Sequence, residues 1–291
     1  MPHCPQSVVR TCLRVLVAAA FALATLVANA ANAPYRVSVV PHAPVADIHR
    51  AWIPFLGALA HETGASLVLE VLPGVSQFEA GFLQGAPDFA FVNPYQAILA
   101  MQAQRYQPLV RDAKMLSGIL VVKTDGPVHA IEDLAGKVIA FPAPNAFDAS
   151  LYMRALLTSK FGLRFKPEYA KTVSEAYLGV ARGTAMAAGG LRLTLEQEPP
   201  TVRQGLRVLY ETPKTAPHPL VAHPRVPERV RSAMTEAALR LARTAEGRAL
   251  LRAVQIGEPV RADYARDYQP LERLGLDRHV SATPRDVRPP S

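Results

Sequence analysis

Two periods of hydrophobicity alternate along the chain from residue 35 onward. Short apolar runs typical of buried strands lie at residues 35–40, 66–72 and 88–92. Helical patterns separate these runs, at residues 48–63 and 75–83. In the first helical pattern, Trp52, Phe55 and Leu59 recur at the spacing of one helix face. The order strand, helix, strand, helix, strand is typical of parallel βαβ units, so the sequence predicts an α/β fold.

A second unit of the same kind follows the first. Strands are predicted at residues 119–123, 138–141 and 206–210, and helices at residues 131–137, 148–161 and 172–182. The helical pattern at residues 228–254 has no sheet of its own, so we expect it to pack on the sheet of the first unit. We therefore predict a discontinuous first lobe at residues 34–117 and 213–277, a second lobe at residues 118–212 and a frayed tail at residues 278–291.

The first 30 residues have the pattern of a secretory signal peptide. Arg10 and Arg14 precede an apolar run at residues 15–27, and residues 28–30 form a small-x-small cleavage site. The run is shorter than the roughly 20 residues that a membrane-spanning helix needs. We therefore predict export and cleavage after Ala30, with an uncleaved membrane anchor as the alternative.

Composition and charge indicate a globular protein and favour some classes of binding partner over others. The 291 residues are 49% hydrophobic and 19% charged, which is typical of globular domains and not of a disordered chain. Removing the two leader arginines, with no acid, lowers the formal net charge from +8 to about +6, which favours anionic small molecules. Lys and Arg are scattered with few interleaved aromatics, so nucleic acid is not expected as a partner. Cys4 and Cys12 both lie in the leader, so no thiol is predicted in the mature chain.

Candidate ligand contacts follow the predicted strands of the first unit. In the stretch DFAFVNPYQAILA, residues 88–100, Asn93 and Pro94 break the strand, and Tyr95 begins the next helix. Ligands bind at the carboxyl ends of strands in open α/β sheets, so we expect Asn93 and Tyr95 to contact a ligand. A capped helix start with a packed tyrosine is the simpler alternative. His42, which directly follows the first strand, and Ser117, before the strand of the second lobe, are further candidates.

The sequence contains none of the motifs that would indicate an enzyme. It has no Gly-x-Ser-x-Gly, no Gly-x-Gly-x-x-Gly and no Walker loop, so no catalytic residue and no cofactor is predicted. A metal-capture alternative stays open, because His42, Tyr95 and Asp148 would be able to meet across a closed cleft.

Three stretches carry a resemblance to a known family: DFAFVNPYQAILA, SGILVVKTDGPVHAIEDLAGKVIAF and PLVAHPRVPERVRSAMTEAALRLARTAEGRALL. In their order and spacing the chain resembles the PhnD-like phosphate, phosphite and phosphonate-binding periplasmic proteins. The resemblance implies a type II-like two-lobe fold, in which each lobe is a mostly parallel sheet flanked by helices and the ligand cleft lies between the lobes. It implies a periplasmic, non-catalytic monomer that delivers a small solute to an ABC permease of the inner membrane, or presents it to a sensor kinase. It also implies that Gln77, at the start of the second helix, contacts the ligand.

The turn at residues 142–150, PAPNAFDAS, departs from the family pattern. Relatives open the following helix with a Ser/Thr-rich turn that holds the oxyanion, whereas this chain has no hydroxyl until Ser150. Candidate contacts in the turn are Asn145, Phe147, Asp148 and Ser150. Asp148 either caps the helix or stands where an anion would bind, and a carboxylate there repels a dianion. We therefore expect a small organic or weakly charged oxyanionic solute in place of phosphate.

Overall fold

The computed structural model describes residues 33–280. The predicted leader, both cysteines and the tail beyond residue 280 lie outside these residues. No helix within residues 33–280 is both long enough and apolar enough to cross a bilayer. The strands are β1 (Tyr35–Val39), β2 (Leu67–Glu70), β3 (Phe89–Phe91), β4 (Gln107–Asp112), β5 (Gly118–Lys123), β6 (Val138–Phe141), β7 (Lys166–Tyr169), β8 (Ala187–Leu191), β9 (Leu206–Glu211), β10 (Leu220–Ala222) and β11 (Pro259–Arg261).

The α-helices are α1 (Val45–Thr63), α2 (Val75–Leu83), α3 (Pro94–Gln104), α4 (Met153–Ser159), α5 (Val173–Arg182), α6 (Arg192–Gln197), α7 (Pro200–Gln204), α8 (Glu228–Leu241), α9 (Ala245–Ala253) and α10 (Tyr264–Asp267). A π-turn at Phe147–Tyr152 leads into α4. Short 3-10 helices lie at Ile131–Leu134, Gln269–Leu274 and Leu276–His279.

The strands form two separate sheets. The first has the order β11-β4-β10-β3-β1-β2, and the second has the order β7-β6-β8-β5-β9. The predicted two-lobe α/β fold is confirmed, but both sheets are mixed where mostly parallel sheets were predicted. β1 pairs in parallel with β2 and β3, and β6 with β7 and β8. β10 and β5 each enter a sheet after crossing from the other one, and both run antiparallel to their neighbours.

Two segments, residues 113–117 and 212–219, cross between the sheets. They pair with each other, because the backbone N–H groups of Leu116 and Thr215 donate to each other's carbonyl oxygen at 2.9 and 2.8 Å. We call these residues the hinge. The first sheet takes its strands from residues 35–112 and 220–261, and the second from residues 118–211. The residue boundaries of the two lobes stay a prediction.

The apolar stripe of α1 is buried against the first sheet, as its spacing predicts. Ile48, Trp52, Phe55, Leu56 and Leu59 are all buried in a single core with the strands of this sheet. Full burial of each such side chain contributes about 1.5–3 kcal/mol. The helix ends at Gly64, whose φ of 69° is the left-handed conformation that glycine adopts without strain.

The π-turn and α4 lie between the two lobes. Met153 and Leu157 pack into a core of the second sheet. Leu151 and Ala155 belong instead to the core of the first sheet. One helical segment therefore packs against both lobes, next to the turn in which ligand contacts are predicted.

Candidate functional site

Asn93 fixes the start of α3 at the carboxyl end of β3. Its Oδ1 accepts a hydrogen bond from the N–H of Gln96 at 2.8 Å, and Gln96 Oε1 accepts one from the N–H of Asn93 at 3.0 Å. This capping box satisfies two of the N–H groups that a helix start leaves open. Capping uses only Oδ1, and nothing within residues 33–280 accepts a hydrogen bond from Nδ2 of Asn93. The amide nitrogen therefore remains able to donate to a ligand.

Tyr95 lies on the first turn of α3 and is half-buried. Part of its ring packs against the core of the first sheet. Burial raises the pKa of the phenol, and the carboxylates of Asp277 and Glu79 raise it further. The hydroxyl therefore stays protonated at neutral pH and is able to donate a hydrogen bond.

Gln77 lies on the first turn of α2, and its side chain is exposed. The helix begins after Gly74, which has no side chain with which to cap it. Gln77 therefore remains a candidate ligand contact on the same lobe as Tyr95.

His42 contacts a part of the chain that the sequence did not connect with it. Phe91, the last residue of β3, stacks on the ring of His218 with centroids 5.6 Å apart and lies 6.5 Å from the ring of His42. Nδ1 of His42 bonds to the carbonyl oxygen of Val40 at 2.8 Å, and its Nε2 lies 3.1 Å from Nε2 of Gln255. Both ring nitrogens have protein partners in this structure, and a ligand contact by His42 stays a prediction.

Neither histidine of this pair supplies a positive charge at neutral pH. Burial lowers the pKa of His42, against a smaller opposing effect of its bond to Val40. Burial, followed by the charge on His42, lowers the pKa of His218 to about 3. A cation for an anionic ligand has to come from another residue.

Ser117 belongs to the polar contacts of the hinge. Its Oγ donates to Oε1 of Glu211 at 2.6 Å, and Nη2 of Arg192 lies 2.5 Å from the other carboxylate oxygen. These two hydrogen bonds hold the pKa of Glu211 below its usual value. The hydroxyl of Ser117 therefore donates to Glu211 in this structure, and its contact with a ligand stays a prediction.

Asp148 does not cap the helix that follows it. The residue before the π-turn is Ala146, and no side chain caps this helix start. Asp148 is buried, and its Oδ1 accepts a hydrogen bond from Thr215 Oγ1 in the hinge at 3.1 Å. A Cβ at Gly118 would lie 2.1 Å from the carbonyl oxygen of Asp148, so the absence of a side chain at Gly118 permits this approach. Asp148 thus connects the second-lobe turn to the crossing segment at residues 212–219 and lies close to the start of β5.

Phe147 and Ser150 also contact protein in this structure. The ring of Phe147 is buried and stacks on Tyr152, with centroids 5.7 Å apart and an angle of 10° between the planes. Ser150 is buried, and its Oγ donates to the carbonyl oxygen of Pro144 at 3.1 Å. In this structure Phe147 packs and Ser150 stabilises the turn, and their contacts with a ligand stay predictions. Asn145, half-buried in the same turn, remains a candidate.

Arg154 is a charged residue at this turn that the sequence analysis missed. It is 6% exposed, and its Nη2 donates to the carbonyl oxygen of Pro144 at 2.5 Å. Its Nε donates to Ser150 Oγ at 3.3 Å, and its Cζ lies 5.8 Å from the centre of the Tyr169 ring. No sequence pattern identifies Arg154, because the turn and Tyr169 come together around it only in the folded chain.

The metal-capture alternative gains no support from the arrangement of side chains. Within residues 33–280 there is no group of three or more His, Cys, Asp or Glu side chains that could hold a metal ion. Of the three residues invoked for it, His42 bonds to Val40 and Asp148 bonds to Thr215.

One family of known proteins matches the chain over most of its length. The sequence model described as ABC transporter, phosphonate, periplasmic substrate-binding protein matches residues 37–268. The predicted resemblance is therefore confirmed. No functionally curated protein gives a significant match to the sequence.

Solved structures share the fold at low sequence identity. A binding component of an ABC phosphonate transporter from Pseudomonas aeruginosa is 16% identical, with 83% of this chain and 85% of that chain covered and a TM-score of 0.65. PhnD1 from Prochlorococcus marinus, solved with methylphosphonate, is 14% identical, with coverages of 85% and 98% and a TM-score of 0.68. A Xanthomonas citri protein bound to chloride ion is 13% identical, with coverages of 84% and 97% and a TM-score of 0.72. At these identities the likeness establishes the fold alone.

Proposed function

Because the chain belongs to the family of periplasmic substrate-binding proteins of phosphonate ABC transporters, we propose that it captures a small anionic solute between its two lobes and delivers it to an inner-membrane permease. The observation that carries this proposal is the family match over residues 37–268. The protein acts as a monomer and without chemical turnover. The first lobe, residues 34–117 and 213–277, closes on the second, residues 118–212.

The proposed ligand contacts come from one edge of each sheet. Asn93 and Tyr95 follow the carboxyl end of β3, and Asn145 follows the carboxyl end of β6. Gln77 lies on the helix between β2 and β3. Amide and phenol groups are neutral hydrogen-bond donors, which suits an oxyanion. In α/β folds, ligands are expected to bind at the carboxyl ends of parallel strands, where these residues lie.

A thermal-shift screen of the mature chain tests the proposed function. The panel contains phosphate, phosphite, methylphosphonate, methanesulfonate, acetate and an amine. A solute at 100 times its dissociation constant raises the free energy of unfolding by about 2.7 kcal/mol, which is readily measured. Recovery of the solute unchanged after incubation supports binding without turnover. The proposal fails if no anion shifts the transition, or if a bound solute is converted to a product.

Replacing Tyr95 with phenylalanine is expected to weaken binding of any solute found in that screen by about three- to tenfold. The substitution removes one hydrogen bond to the ligand, for which a net contribution of about 0.5–1.5 kcal/mol is typical. Isothermal calorimetry measures the change. Tyr35→Phe is the matched control, because Tyr35 begins β1 at the opposite end of the strand from the ligand edge. Equal losses in the two variants would count against a ligand contact by Tyr95.

Export by a cleaved leader is part of the same proposal. Mass spectrometry of the periplasmic fraction is expected to find a mature N-terminus at Ala31, since Ala28, Asn29 and Ala30 form the proposed cleavage site. Recovery of the full-length chain from the membrane fraction would show instead that the leader remains as an anchor.

A further inference from the structure

Arg154, the second residue of α4, carries a buried positive charge without a carboxylate partner. The ion pairs formed within residues 33–280 do not include it. Its contacts are the carbonyl oxygen of Pro144, the hydroxyl of Ser150 and the face of the Tyr169 ring. No residue in this part of the chain accepts a hydrogen bond from its Nη1. Within residues 33–280 the guanidinium therefore has no carboxylate partner for its charge and no hydrogen-bond acceptor for its Nη1 group.

Arg111 is a second buried arginine in this chain, and its charge is paired with a carboxylate. Arg111 is 8% exposed, compared with 6% for Arg154. Nη2 of Arg111 lies 3.0 Å from Oδ1 of Asp267, so its charge is neutralised within the protein. An unpaired buried charge is costly, because desolvation is not offset by an opposite charge. The contrast indicates that Arg154 has an anionic partner that is not part of the described chain.

The position of the guanidinium is that of a ligand contact. Pro144 lies in the turn after β6, and Tyr169 is the last residue of β7. These strands are parallel, so their carboxyl ends share one edge of the sheet, where ligands bind in α/β folds. The pKa of His279, near the C-terminal end of the described residues, is lowered by burial and by the positive charge of Arg154. Among residues 33–280, no carboxylate forms an ion pair with Arg154.

We propose that Arg154 is the charge partner of the transported solute and selects a singly charged oxyanion. This inference rests on the proposed function and names the ligand class for the same cleft. Guanidinium presents a planar fork of donors that matches two oxygens of a carboxylate, sulfonate or phosphonate monoanion. Pro144 and Ser150 already hold the side chain, so binding orders little further. A second negative charge would lie near the turn that contains Asp148, whose carboxylate would repel it.

The test compares methanesulfonate, methylphosphonate and sulfate by calorimetry in wild type, Arg154→Gln and Arg154→Lys. Wild type is expected to bind at least one singly charged probe about tenfold more tightly than sulfate. Arg154→Gln is expected to lose that affinity about tenfold to a hundredfold, since hydrogen bonds to a charged group are the strong ones. Arg154→Lys, which keeps the charge but not the fork, should lie between the two.

Thermal melting without ligand distinguishes a ligand contact from a structural one, with Arg111→Gln as the matched control. Arg154→Gln is expected to melt within a few degrees of wild type, because it removes an unpaired charge. Arg111→Gln breaks the buried ion pair with Asp267 and is expected to melt much lower. A loss of stability in Arg154→Gln as large as in Arg111→Gln, or a failure to fold, overturns the inference. Equal affinities in wild type and Arg154→Gln overturn it and leave the proposed function standing. If wild type binds none of the anions, both are overturned.

Discussion

Substituting Asp148 with asparagine is expected to make the protein more stable at pH 8 and to flatten its stability between pH 4 and 7. Burial raises the pKa of the Asp148 carboxyl to about 7, and the hydrogen bonds from Thr215 and from its own backbone N–H oppose this only in part. The ordinary pKa of an aspartate is about 3.9. A difference of about three pKa units corresponds to about 4 kcal/mol between the two protonation states.

The sign follows from the direction of that shift. Between about pH 4 and pH 7 the folded chain holds the proton of Asp148 and the unfolded chain has lost it, so stability falls as pH rises. The contribution is fully present below the unfolded pKa and is lost as pH passes through the folded one. Asparagine is neutral at every pH, and its amide oxygen is able to accept the hydrogen bond from Thr215. The variant therefore avoids burying a carboxylate at pH 8.

Urea denaturation at pH 5 and pH 8 measures the effect. Asp133→Asn is the matched control, because Asp133 is exposed and its pKa is lowered by the backbone N–H groups of Ala130 and His129. The Asp133→Asn substitution should change the free energy of unfolding by the same amount at pH 5 and at pH 8. If Asp148→Asn is no more stable than wild type at pH 8, Asp148 is not a buried carboxylate in solution.

The helices with a clear apolar stripe were predictable from the sequence, and several strands were not. The helix at residues 75–83 and the strand at residues 138–141 coincide with the predictions, because strong periodicity is bounded there by glycine or by a charged residue. The sequence did not predict five of the strands, β4, β7, β8, β10 and β11. β10 and β11 are only three residues long, and β4 and β7 contain proline and charged residues. Pairing with neighbours distant in sequence determines them.

The candidate site was predictable only where local structure determines it. Asn93 and Tyr95 follow a strand and begin a helix, and both features can be read from neighbouring residues. The bond between Ser117 and Glu211 was not predictable from local sequence, because the two residues lie 94 positions apart. Arg154 was missed because an arginine in a helical pattern is most often exposed, and only the fold brings Pro144 and Tyr169 around it.

The polar contacts of the hinge connect the site to the relative position of the lobes. Asp148 bonds to Thr215, and Thr215 pairs with Leu116 in the other crossing segment. The same turn supplies Pro144, whose carbonyl oxygen holds the guanidinium of Arg154. An anion that contacts Arg154 therefore acts on a turn that is already attached to the hinge. Under the proposed function, this arrangement would link ligand binding to lobe closure through the hydrogen bonds of a single turn.

Replacing Asp267 with alanine is expected to lower the free energy of unfolding by about 3–5 kcal/mol, the range for breaking one side of a buried ion pair. Asp267 Oδ1 lies 3.0 Å from Nη2 of Arg111 and 2.8 Å from Nε of Arg266, and Oδ2 accepts the N–H of Asp263 at 2.9 Å. Burial raises the pKa of Asp267, but the hydrogen bonds from Arg266 and Arg111 outweigh it and hold the pKa well below its usual range. Alanine would leave the buried guanidinium of Arg111 without a counter-charge.

Urea denaturation of Asp267→Ala and of Asp47→Ala at pH 7 measures the difference. Asp47 pairs with Arg50 on the surface, where the two side chains are 50% and 76% exposed, so its loss should cost no more than about 1 kcal/mol. Since the folded pKa of Asp267 is depressed, its contribution is present above the unfolded pKa of about 3.9 and is lost as pH falls below it. The difference in free energy of unfolding between Asp267→Ala and wild type should therefore become smaller below pH 4. A gap that is already below 1 kcal/mol at pH 7 would show that this ion pair does not hold the C-terminal segment to β4.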